Sequence, residues 1–188
     1  MSTAFEQTLA YNCGPALAGI KPANLVSLTT DDYEDLPLLL QEYHEDLKQR
    51  NIHLDLLCRC QSRCLILVYR SDRLERQLSD NRNRLILKDA GYPEHASLSE
   101  LLDHLSRRLQ ESGEFPHEIG VFLGYSPDDV IGFQIHKGKN FKYSGHWKVY
   151  SDVESAKQCF HRYDKCRDAI CRHLSCGISI RQMFCPAA

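Results

Sequence analysis

Two residues carry the best-matched reactive chemistry in this chain. Cys13 lies in the stretch YNCGPALAGIKPANL, and His117 heads the run HEIGVFLGY about a hundred residues later. A cysteine nucleophile works as its thiolate, so it needs a base to take the proton and donors for the oxyanion that develops on the substrate. His117 has the side chain whose ordinary pKa suits that transfer near neutrality. Asp129 or Asn140, downstream of it, could orient the imidazole. The competing reading of Cys13 is a small buried thiol beside a Gly-Pro turn, a common place for free cysteine.

Other side chains suggest binding rather than bond-making. SGHWKVY holds the only tryptophan, and Trp147 and Lys148 fall on opposite faces of an alternating strand. With Lys21 and Tyr125 they are the candidate ligand contacts, because an aromatic–basic surface can stack a flat ligand and neutralise its charge. The same strand also reads as core, with Trp147 and Val149 turned inward. Asp128 and Asp129, in SPDD, have a sufficient structural role as acids in the first turn of a helix. The chain has nine cysteines, an odd number that argues against a disulfide framework. CRCQSRC lacks the Cys-x2-Cys spacing of zinc knuckles, and one helix carrying Cys159, Cys166, Cys171 and Cys176 cannot close a four-ligand site alone. No metal site and no cofactor is therefore assigned.

The elements that must hold these residues can be read from periodicity and caps. NLVSL is a strand candidate, IHLDLLCRC and RCLILVYR form a hairpin, and IGVFLGY and KYSGHWKVYS are two further strands. TTDDYEDLPLLLQEYHEDLKQR is helical, with Pro37 tolerated near its start. SDRLERQLSDNRNRLILKDAGY reads as one helix stopped at Gly91. SLSELLDHLSRRLQESG opens on a capping box, Ser97 to Glu100 or Ser99 to Leu102 in alternative registers, and ends at Gly113. SPDDVIGFQIHKG is a short helix, and DVESAKQCFHRYDKCRDAICRHLSCG is the longest, terminated by Gly177. The expected fold is a single α+β domain over residues 1–188, a small mixed sheet of about five strands flanked by helices.

Composition narrows the setting. Hydrophobic residues make up 43% and charged residues 26%, an ordinary globular balance. A net charge of −2 gives no general attraction to nucleic acid or anionic membrane, and neither is expected as a partner. Arg70, Arg73, Arg76, Arg82 and Arg84 are interleaved with acids and read as a solvated helical face. No apolar run approaches membrane-spanning length, and MSTAFEQTLAYN lacks the pattern of a secretory signal, so a cytoplasmic location is expected.

Four stretches, CGPALAGIKPANLVSL, CLILVYRSDRLERQL, FPHEIGVFLGYSPDDVIGF and GHWKVYSDVESAKQCFHRYDKC, resemble a bacterial family, the domain of unknown function 3793, found mainly in anaerobic Firmicutes. That resemblance implies a small cytosolic bacterial protein and supplies no catalytic residues. Gly14 stands where relatives more often have Cys-Ala-Pro. Locally, NCGPA also resembles the nucleophile segment of papain-like bacteriocin-processing peptidases, which place the cysteine at a helix N-terminus and the histidine on a distant strand. That likeness implies Gln7 as an oxyanion donor, though Gly19 and Pro22 leave barely two helical turns after Cys13. Three functions follow as expectations. One is a cysteine-dependent hydrolase or transferase using Cys13, His117, Gln7 and Asp129. Another is a non-catalytic module for a small cofactor, small-molecule or peptide ligand, or redox partner, with contacts through His117, Lys148 and the Trp147 strand. The third is a metal- or redox-responsive thiol protein.

Overall fold

A computed structural model describes residues 3–33, 35–59, 62–111 and 115–185. Cys60, Gln61 and Gly113, which enter the expectations above, lie outside the described residues. The chain begins with helix α1 (Ala4–Leu17), capped by Thr3, whose hydroxyl accepts from the Glu6 N–H at 3.2 Å. Strand β1 (Ala23–Thr29) follows, then α2 (Leu36–Leu47) and the hairpin β2 (Ile52–Arg59) and β3 (Arg63–Arg70). Helices α3 (Ser71–Ser79), α4 (Asn81–Asp89), α5 (Leu98–Glu111), α6 (Ile119–Phe122) and α7 (Pro127–His136) come next. The two-residue strands β4 (Tyr143–Ser144) and β5 (Lys148–Val149) precede the long α8 (Val153–Ser175) and the short α9 (Ile180–Phe184).

The α+β class is as expected, but the strands do not join in one sheet. β1, β3 and β2 form an antiparallel sheet in that order, and β4 and β5 form a separate minimal hairpin. Helices cover both faces of the larger sheet, which is why its central strand β3 is apolar almost throughout. Cys64, Ile66 and Val68 face one core with Leu9, Cys13 and Leu17 of α1 and Ile170 and Leu174 of α8. Leu67 and Tyr69 face the other, with Leu74, Leu105 and Phe122. Strand β2 carries a bulge between Leu56 and Cys58. The Leu57 carbonyl left over there accepts from the side chains of Ser106 and Gln110 on α5, so the irregularity is satisfied by the helix packed on it.

Four local expectations are corrected. KYSGHWKVYS turns back on itself as the β4–β5 hairpin, with Tyr143 opposite Val149, rather than running as one strand. IGVFLGY is a single helical turn, α6, rather than a strand; a short apolar run has no period to separate the two, and Gly124 at φ +73° ends it. The segment 71–89 is two helices, because Asp80 adopts an extended ψ of 136° and its carboxylate caps α4 by accepting from the Arg82 and Asn83 N–H groups. Cys13 does not precede its helix; α1 runs up to and past it, with Phe5, Leu9 and Cys13 on the buried stripe. Of the two capping-box registers, Ser97–Glu100 forms, with the Ser97 N–H 2.7 Å from the Glu100 carboxylate and the Glu100 N–H 3.3 Å from the Ser97 hydroxyl.

Candidate functional site

The end of α1 sets the position of Lys21. Gly19, at φ +72°, turns the chain, and the Ile20 and Lys21 N–H groups both donate to the Pro15 carbonyl. Arg70 of β3 caps the helix from outside, its guanidinium donating to the Leu17 carbonyl. The Asn24 side chain accepts from the Ala16 N–H at 3.1 Å. Gly124 closes the arrangement from the far side, since a Cβ there would lie 2.6 Å from the Pro22 ring. Lys21 is thereby fixed in a buried position, 5% exposed.

Its surroundings are aromatic and thiol-bearing. The Lys21 ammonium lies 5.4 Å from the Tyr125 ring centre and 5.7 Å from that of Tyr163 on α8. Cys13 and Cys159 are the thiols that couple to it electrostatically. Among the described residues no carboxylate pairs with it. Burial accordingly pulls the Lys21 ammonium down to about 8, and pushes the Cys13 thiol, fully enclosed, up to about 12. Tyr125 is raised to about 12 for the same reason.

Tyr125 stacks on Trp147 with ring centres 4.6 Å apart, and Trp147 meets Phe160 edge-on at 4.4 Å. The Trp147 indole N–H donates to Asp129 at 2.8 Å. Asp129 also accepts from the N–H groups of Tyr150 and Ser151 and from the Ser151 hydroxyl, each at 2.8 Å. It is a buried anchor that ties α7 to the strand after Trp147.

A cleft of about 610 Å³ opens beside Lys21, between the Gly19–Pro22 turn, the α3–α4 corner and the start of α7. Arg73, Arg76 and Arg82 line it with Tyr125 and Asn83. Asp80 is occupied as the α4 cap, and Arg82 pairs with Asp128. Arg73 approaches only Asp72, at 3.8 Å, and Arg76 has no ion pair among the described residues. Asn83 is buried and donates to the Gln77 carbonyl at 2.8 Å, while its own carbonyl oxygen has no partner. The cleft therefore offers cations.

Of the expected ligand contacts, Lys21, Tyr125 and Trp147 come together. Lys148 does not join them: it donates to the Gly138 carbonyl at 2.8 Å beyond the end of α7 and packs against Phe133 and Phe141. The expected catalytic group is dispersed. His117 is exposed and meets Phe133 edge-on at 4.9 Å, while Cys13 is enclosed. Among the described residues no hydrogen bond or ion pair joins the two. Gln7 is exposed on α1, six residues and so about 120° around the helix from Cys13. Asp129 is engaged with Trp147, Tyr150 and Ser151 rather than with an imidazole.

The arginines are what the sequence reading undervalued. The three-residue spacing of Arg73 and Arg76 puts them on one side of α3, and the break at Asp80 brings Arg82 back to the same cleft. A capping Asp in mid-pattern was the available signal. The eight described cysteines are all free, and no group of three or more metal-ligating side chains occurs among the described residues. No described helix is long and apolar enough to cross a membrane.

No curated protein and no solved structure matches the chain. The model of one family, described as a protein of unknown function, DUF3793, matches residues 9–184. The stretches CGPALAGIKPANLVSL and FPHEIGVFLGYSPDDVIGF, which supply the two sides of the Lys21–Tyr125 contact, fall within that match, and the chain belongs to this family.

Proposed function

We propose that the protein is a non-catalytic binding module for a small anionic ligand, seated in the cleft between the Lys21 turn and the α3–α4 corner. The observation that carries this reading is the buried ammonium of Lys21, which no carboxylate among the described residues neutralises. An enclosed cation without a counter-ion is costly, and a ligand carboxylate or phosphate would offset that cost. Arg73 and Arg76 add further positive charge on the same cleft, and Arg guanidinium groups suit the planar geometry of oxyanions. Tyr125 gives the ligand's uncharged part a flat apolar wall, with Trp147 stacked on it.

Trp147 is the chain's only tryptophan, so its emission reports on this wall. Titration with inorganic phosphate and with pyruvate is expected to change that emission saturably, with Arg76→Gln weakening the better-bound of the two by about tenfold. A linear, unsaturable response to both anions would end the proposal.

The rival reading makes Cys13 the nucleophile of a hydrolase or transferase. It needs a thiolate, whereas burial holds the Cys13 thiol at about 12. Iodoacetamide treatment of the native protein separates the two readings. Cys176, which is exposed, is expected to alkylate first and Cys13 only after denaturation. Preferential alkylation of Cys13 in the native state would favour the hydrolase.

A further inference from the structure

The Lys21 amine is buried more deeply than anion binding requires. An arginine, or a lysine at the rim, would serve a simple electrostatic role. Lys21 instead sits at 5% exposure against the rings of Tyr125 and Tyr163 and beside two thiols. The ionisable neighbours that respond to this setting are held in their neutral forms. Burial raises Cys13 to about 12 and Tyr125 to about 12, and it raises Tyr163, whose hydroxyl contacts Cys159, further still. None of these three supplies a negative charge near neutrality, so the surroundings shift Lys21 toward the free amine, although the ammonium remains the larger fraction below about pH 8. An amine in that state is a nucleophile.

We infer that Lys21 captures its ligand covalently: the cleft takes a small aldehyde or oxo acid bearing a carboxylate or phosphate, and the Lys21 amine condenses with the carbonyl to form an imine. The inference rests on the anion-binding reading and adds the ligand's second functional group. Arg73 and Arg76 hold the anionic end, and Tyr125 borders both the amine and the cleft. In the step itself the nitrogen lone pair forms the C–N bond as the carbonyl π pair moves to oxygen, giving a carbinolamine. Loss of that hydroxyl with the nitrogen's proton as water leaves the C=N bond, so amine and carbonyl give imine and water with no oxidant or reductant. Cys13 and Tyr163 are neutral acids close enough to the nitrogen to influence it electrostatically or through ring contact, and they leave no buried anion behind.

Glyoxylate with cyanoborohydride at pH 7.5 tests this, because reduction traps any imine as a stable secondary amine that peptide mass mapping locates. At that pH an amine titrating at about 8 is free some 200-fold more often than an ordinary lysine. Burial slows entry, and a net preference for Lys21 over exposed lysines of about tenfold or more is expected. Inorganic phosphate is expected to protect Lys21. Arg73→Gln/Arg76→Gln is expected to slow its modification by glyoxylate about tenfold while leaving modification by uncharged propionaldehyde unchanged. Labelling of Lys21 no faster than of exposed lysines overturns the inference. Trp147 emission measured on the same samples separates the two ideas: saturable anion binding without a Lys21 adduct overturns covalent capture alone, and the absence of both overturns the binding reading as well.

Discussion

Lys21 and Asp129 are two buried charged side chains joined by one chain of contacts. The ammonium lies against Tyr125, Tyr125 stacks on Trp147, and the Trp147 N–H ends on Asp129. Their exposures are nearly equal, 5% and 3%. What differs is satisfaction. Asp129 receives four hydrogen bonds, from one side chain of β5's flank, two backbone amides and a hydroxyl, so its charge is spent on fixing the structure. Lys21 donates none to an acid among the described residues, so its charge remains available. Burial alone therefore does not mark a functional group, whereas burial with the hydrogen-bonding capacity left open does.

The comparison breaks most visibly in stability. Asp129→Ala leaves four half-buried donors without their acceptor and is expected to cost about 2–4 kcal/mol in urea unfolding, with loss of the Trp147 environment. Lys21→Met is expected to do the reverse, raising the unfolding free energy by roughly 1–2 kcal/mol at pH 7 while abolishing anion binding. Equal destabilisation by both substitutions would make Lys21 a scaffold residue like its counterpart.

A smaller effect lies in pH. The unfolded chain holds the Lys21 proton up to its ordinary value of 10.5, whereas the folded chain releases it at about 8. The unfolded state thus binds more protons between those values, and stability rises as pH climbs above 8. Cys13 acts with the opposite sign. Its thiol ionises at 9.0 when unfolded and at about 12 when folded, so its contribution is complete below 9 and is lost above it. A gain of about 1 kcal/mol is expected between pH 8 and 9, present in the wild type and missing in Lys21→Met. Persistence of the gain in the variant would assign it to another group.

The smallest expected change concerns the rim of the cleft. Asp128 pairs with Arg82 across the α4–α7 gap, and both side chains are exposed. Asp128→Asn should leave the unfolding midpoint where it is, because exposed pairs contribute little. It should also tighten phosphate binding two- to threefold, roughly the effect of removing one nearby screened negative charge. Unchanged affinity would put Arg82 outside the ligand's reach.

Much of this molecule was legible from local signals. The β2–β3 hairpin, the Ser97 capping box and the long α8 each follow from a pattern contained in the element itself. Errors arose where a local pattern supported two answers. The α1 stripe of Phe5, Leu9 and Cys13, at spacings of four, was present in the sequence, yet the Asn-Cys-Gly-Pro group reads equally as the start of a helix. The site was legible only in part. Trp147 and Tyr125 could be chosen as aromatic contacts, and Lys21 as a basic one, but nothing local says that Lys148 faces the end of α7 instead. The charge inventory of α3 suggested solvent, and only the corner at Asp80 and the packing of α7 turn those arginines into a wall.

The contact between Pro22 and Gly124 has a consequence in time. It closes a loop of about a hundred residues, and the Lys21–Tyr163 contact closes a longer one, so the entropic cost of assembling this corner falls late. The β2–β3 hairpin, whose strands are adjacent in sequence, has no such delay. In a refolding experiment, sheet formation is expected to run ahead of the change in Trp147 emission. During synthesis the nascent chain would acquire its central strands well before it acquired a place for a ligand.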